Sequence, residues 1–163
     1  MQIRNVAGQA STLNQLGNLY DVSFGRPEEA VAFYLQAADK YVELHDLAEE
    51  GRSRYNIADT LRKLNRLADA RREILRAIGC DAHFGHASES WKTWNLLAAI
   101  ETDSGDSAAA AAAQAKAKAK AKAIASYLAY RRGFVAAPGL RCRTGFGPAR
   151  SLYPSSRGGV RRR

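Results

Sequence analysis

The most reactive side chains in this 163-residue sequence are Cys80, His83 and His86, spaced C-x2-H-x2-H. All three types ligate zinc, and a thiol near an imidazole is the start of a nucleophilic pair. Neither arrangement is complete. Zinc needs a fourth ligand, and the candidates are nearby Glu89 and distant Cys142. A nucleophile needs a base in hydrogen-bond reach, an oxyanion site and a cleft, which closeness in sequence does not supply. The segment GCDAHFGHASES reads instead as a loop between helices, with the histidines in loop or cap positions. Cys80 then ends an apolar stripe as a partly buried small residue. His45 reads as a solvated residue at a helix end. No phosphate-cradling glycine loop is present. The sequence thus assigns no catalytic residue, no metal and no cofactor, and it points away from an enzyme.

Charge offers a second kind of chemistry. The chain carries 25 Lys+Arg against 16 Asp+Glu, a net +9 that suggests a polyanion partner. Its distribution weakens that suggestion. Residues 1–130 hold 16 bases and 16 acids, whereas residues 131–163 hold 9 Arg and no acid. Residues 1–110 are net −4, and Lys116, Lys118, Lys120 and Lys122 cancel the difference. The chain is a slightly acidic body, an Ala-Lys segment and an arginine-rich tail.

The body must supply the elements that position any site. With 46% hydrophobic residues it can form a core, and its length suits one domain. No apolar run reaches the ~20 residues of a membrane span, and MQIRNVAGQASTLNQ lacks the apolar stretch of a signal peptide. Two cysteines make no disulfide framework and suit a reducing compartment, so a cytoplasmic location is expected.

A repeat organises the body. Gly25, Asn65 and Gly105 are 40 apart, as are Ala30, Ala70 and Ala110, and Ala37, Ala77 and Ala117. Leu16, Ile57 and Leu97 recur at 41 and 40, with Gly17, Ala58 and Ala98 beside them. The extra residue of the first interval is expected in the turn before Gly25, where an insertion is cheap. Each unit reads as two helices with 3.6-residue apolar stripes: Leu13, Leu16, Tyr20 and then Val31, Tyr34, Leu35, Ala38 in the first. Ile57, Leu61, Leu64 and then Ala70, Ile74, Ala77, Ile78 form the second. Trp94, Leu97, Ala98 and an alanine-rich helix form the third, where Glu101 replaces the apolar Tyr20 and Leu61. Trp94, and with it Trp91, is expected in the core. Pairs of this kind bury their apolar faces only by stacking. The expected fold is all-α, a right-handed superhelical solenoid of about three antiparallel helix pairs, with a long last helix and a disordered C-terminal tail.

These residues resemble the tetratricopeptide repeat. Unit one supplies Leu13, Leu16, Gly17, Tyr20, Gly25, Ala30, Tyr34 and Ala37 at the motif positions. Unit two supplies Ile57, Ala58, Leu61, Ala70, Ile74 and Ala77, and unit three Trp94, Leu97, Ala98, Gly105 and Ala110. The period of 40 is similar to the long variant of kinesin light chains and of bacterial multidomain proteins. The resemblance covers residues 10–132, in units of about 10–50, 51–90 and 91–132, with low-complexity sequence at 108–126. Residues 1–9 are expected to be a leader or the remnant of a preceding repeat. Because unit one starts so early, the chain is expected to be the C-terminal end of a longer array, with further repeats or self-association at its N-terminal end.

The resemblance implies protein binding in a concave groove lined by the first helix of each pair. Its lining would be Asn14, Asn18 and Asp21, then Arg52, Tyr55, Asn56, Asp59, Arg62 and Lys63, then Lys92, Asn95 and Thr102. Asparagines there suit a peptide backbone, and the cations suit a carboxylate. In the subclass that grips a terminal carboxylate, Asn18, Asn56 and Lys92 stand at three of five clamp positions. Asn14 and Leu96 replace the expected Lys and Arg. The partner's identity is unknown. The alternatives are polyanion contact through the Ala-Lys helix and the tail, or a scaffold and oligomerisation role within a larger signalling protein. In residues 133–163 the helical period disappears, and Pro138, Pro148 and Pro154 would each break a helix. Nucleic acid is otherwise unexpected, and so is membrane contact.

Overall fold

The computed structural model describes residues 2–83 and 90–135. They form six α-helices: α1 (Gln2–Asn18), α2 (Pro27–Glu43), α3 (Leu47–Lys63), α4 (Leu67–Asp81), α5 (Ser90–Asp103) and α6 (Ser107–Val135). The helices pair as α1·α2, α3·α4 and α5·α6, and neighbouring pairs stack through α2·α3 and α4·α5. This is the all-α solenoid that the repeat demands.

The repeat positions do what their size dictates. Ala30, Ala37, Ala58, Ala70 and Ala77 are buried, and Tyr34, Ile57 and Ile74 fill the space between helices. One cluster from Ala30 to Ala113 runs through all three pairs. The turn formers at Gly25, Asn65 and Gly105 take positive φ angles of 60°, 58° and 82°. His45 does the same at 55°, ending α2. At His45, Asn65 and Gly105 the chain reverses by paired bonds, such as His45 N to Val42 O and Asp46 N to Tyr41 O. Such pairs satisfy the last helix carbonyls.

Several boundaries differ from the expected ones. Residues 2–9 are the first two turns of α1, followed at once by Ala10, buried against Ala37 and Tyr41. Unit two starts at Leu47, not 51, because the Asp46 side chain caps α3 by accepting from Glu49 N at 3.1 Å. Helix α6 continues through Gly133 to Val135. Residues 136–163, the rest of the expected disordered tail, lie outside the described residues.

The extra residue of the first interval is not in the turn. Leu19–Ser23 continue α1 as a π-helical turn. A π turn holds one residue more than the α-helix it interrupts. The closing bond there runs from Arg26 N to Tyr20 O, one residue longer than its counterparts at Asp46, Arg66 and Asp106.

Candidate functional site

The first helices α1, α3 and α5 lie side by side, and polar bonds tie them. Ser53 Oγ on α3 donates to Asn14 Oδ1 on α1 at 3.2 Å. Lys63 Nζ reaches Asp21 Oδ2 at 2.8 Å across the same two helices, and Asp59 Oδ2 at 3.0 Å within α3. Arg62 Nε meets Asp103 Oδ2 at 2.6 Å at the end of α5. Burial pulls the Lys63 ammonium down, but the Asp21 and Asp59 bonds outweigh it, so its pKa lies above the ordinary lysine value.

This arrangement brings together part of the expected groove. Asp21, Asp59, Lys63, Tyr55 and Lys92 form one cluster. Burial pushes the Tyr55 hydroxyl up, the Asp59 charge adds to it, and the charges of Lys92 and Lys63 oppose it. Asn18 stands at its edge, its Oδ1 accepting from Tyr34 Oη at 2.7 Å. That tyrosine is pushed up to about 12, chiefly by burial and then by the Asp21 charge.

Other expected lining residues are used differently. Asn14 is buried and holds α1 to α3, so it is not a lining residue. Arg52 pairs with Glu49 on its own helix at 2.8 Å. Asn56 is half-buried, and its backbone carbonyl accepts from Thr60 Oγ1. Asn95 and Thr102 belong to an open cavity of about 480 Å3 at the last pair, with Ala98, Ala99, Ala110 and Gln114. The five-residue carboxylate clamp is absent, since Leu96 is core and Asn14 is buried. Three of the cations expected to attract a carboxylate, Arg52, Arg62 and Lys63, face acids already on the protein: Glu49, Asp103, and Asp21 with Asp59.

The reactive candidates fare worse. Cys80 is buried, and burial followed by the Glu50 charge pushes its thiol up, the reverse of an activated nucleophile. Cys80 and His83 line a cavity of about 490 Å3 with Val42, Leu47, Glu50, Arg54, Arg76 and Gly79. His86, Glu89 and Cys142 lie outside the described residues. Among the described residues no three His, Cys, Asp or Glu side chains converge as a metal site requires. No described helix is long and apolar enough to cross a membrane.

Two features escaped the sequence. Glu101, which looked like a flaw in unit three, is buried and accepts from Arg71 Nε of α4 at 2.7 Å. Arg54 lies buried between Glu50 at 2.6 Å and Glu73 at 2.9 Å, joining α3 to α4. The Arg54–Glu73 and Arg71–Glu101 pairs join residues 19 and 30 apart in sequence, so no local pattern announces them. The tryptophans, expected in the core, are half-buried. Lys116 Nζ sits 4.5 Å above the Trp94 ring, and Lys92 Nζ 5.7 Å above that of Trp91.

Stacked helix pairs, with polar bonds tying the first helices together, define a helical-repeat solenoid. Residues 9–47 match the tetratricopeptide repeat family, and the chain has the fold of a tetratricopeptide-repeat domain. The TPR domain of FLU from Arabidopsis superposes with a TM-score of 0.67 at 15% identity, over 72% of this chain and 98% of that one. No curated protein matches the sequence.

Proposed function

We propose that the face made by α1, α3 and α5 docks a peptide or helix of another polypeptide and catalyses nothing. The observation that carries this is the cluster Asp21, Asp59, Lys63, Tyr55 and Lys92, whose side chains come from all three helix pairs. Groups held by one another lose little freedom when a ligand arrives, which favours binding. The compensated charges favour a partner that offers both donors and acceptors, such as a peptide backbone, over an isolated carboxylate. A buried, protonated thiol at Cys80 suits a reducing, cytoplasmic setting.

Affinity capture with the full chain and with Tyr55→Ala/Lys92→Ala tests the reading. A polypeptide held by the first and lost by the second supports it. Equal capture by both, or capture by neither, overturns it.

The exposure of Lys116, Lys118, Lys120 and Lys122 favours a second reading, polyanion contact along α6. It requires a steep fall of affinity with salt.

A further inference from the structure

Helix α6 outruns its partner. It has 29 residues against 14 in α5, about 43 Å against 21 Å at 1.5 Å per residue. Ala113 and Ala117 are buried in the hairpin. The same face continues as Ile124 and Leu128, with Tyr127 beside them, where Leu128 and Tyr127 are 40% and 47% exposed. Lys120 lies one turn before Ile124 on this face. No acid occurs anywhere in residues 107–163, so two such faces laid together would oppose cations to cations.

A complementary surface stands elsewhere on the same chain. The outer face of α2 exposes Leu35 and Val42, two turns apart, at 40% and 44%. Glu28 and Asp39 are exposed on that face, seven residues before and four after Leu35. It is an acidic helix face with two uncovered apolar side chains. Leu75 of α4, 40 residues after Leu35, is 44% exposed as well, but Arg71, Arg72 and Arg76 surround it, all more than half exposed. That face would repel α6, so of Leu35 and Leu75 only Leu35 has suitable neighbours.

We propose that the chain associates head to tail, the Ile124–Leu128 face of α6 docking on the Leu35–Val42 face of α2 in a second copy. The surfaces differ, so the contact is heterologous, and each copy offers both halves. Apolar side chains supply the seam, and Lys120 opposite Asp39 sets which helix is accepted. The inference is independent of the α1, α3, α5 face.

Sedimentation equilibrium of the full chain over a concentration series tests it. Wild type is expected to associate, more weakly as salt rises. Leu128→Gln and Leu35→Gln, both at exposed positions, should each weaken association at least about tenfold. Mixing these two variants should restore a single contact, since one keeps an intact α2 face and the other an intact α6 face. Lys120→Glu and Asp39→Lys should each weaken association, and together in one chain restore it. A wild type that stays monomeric at every concentration overturns the proposal. So does a Leu35→Gln chain that associates as wild type, the result expected if α6 paired with α6. Failure of the mixture to associate overturns it as well.

Discussion

The ring of Tyr34 lies on the backbone of Gly17: a Cβ built on that glycine would stand 2.5 Å from Cε1 and 2.6 Å from Cδ1. The ring cannot yield easily. It is 2% exposed, and its hydroxyl is tied to Asn18. Gly17→Ala gains about 1 kcal/mol of helix propensity but forces an overpacked core that costs about 1–3 kcal/mol. The net expected outcome is destabilisation, read as a lower urea midpoint at unchanged slope. A variant as stable as wild type would show that α1 and α2 can separate at no cost.

The same tyrosine makes stability depend on alkaline pH. Its folded pKa of about 12 exceeds the ordinary value of 10.0, so the folded state holds the proton more tightly. The stabilisation is complete below pH 10 and is lost as pH rises from 10 through 12. A two-unit difference is worth about 2–3 kcal/mol when fully lost. Tyr34→Phe should lose about 1 kcal/mol at pH 8 with the Asn18 bond, and then show a smaller further loss at pH 11 than wild type. Urea unfolding of both proteins at the two pH values checks this. Parallel losses would remove Tyr34 as the source.

Arg54 and Glu73 form the deepest ion pair, both side chains about nine-tenths buried or more. Removing the cation leaves Glu73 buried, with only Arg72 and Arg76 at its outer side. Arg54→Met is expected to cost about 3 kcal/mol. Glu73→Leu should cost less, because Glu50 still satisfies Arg54 at 2.6 Å. Thermal unfolding of both variants gives the order, and a Glu73→Leu protein less stable than Arg54→Met would contradict it.

What the sequence announced and what it hid follow from the range of the interactions. Ala30, Ala70 and Ala77 could be read because helix packing imposes a period, and they are buried as that period requires. Gly25, Asn65 and Gly105 were legible because few residues accept positive φ. His45 was not, since histidine is no common turn signal, although Asp46 and Glu49 stand after it with the spacing of a helix cap. The groove was legible as a set of motif positions and not as a geometry. Asn14 shares its register with Tyr55 and Asn95, yet Ser53, 39 residues away, draws it inside. Likewise Arg71 turns Glu101 from a misplaced charge into a buried link.

The π-helical turn offers the sharpest test of the period. Between Tyr20 and Gly25 the chain has one residue more than between Leu61 and Asn65, and Leu19–Ser23 absorb it. Val22 is 80% exposed. Deleting it would align Phe24 with Leu64, a residue packed against the core, and let α1 run on as an α-helix to Gly25. The expected outcome is a folded protein with helicity by circular dichroism and a thermal midpoint close to those of wild type. Deleting Arg62, in a segment with no extra residue, should instead shift the end of α3 out of register. Lys63 would lose Asp21, Leu64 would leave its packing, and the midpoint should fall by at least about 4 °C, the effect of roughly 1 kcal/mol. Equal tolerance of the two deletions would show that the period constrains the packing far less than the buried alanines imply.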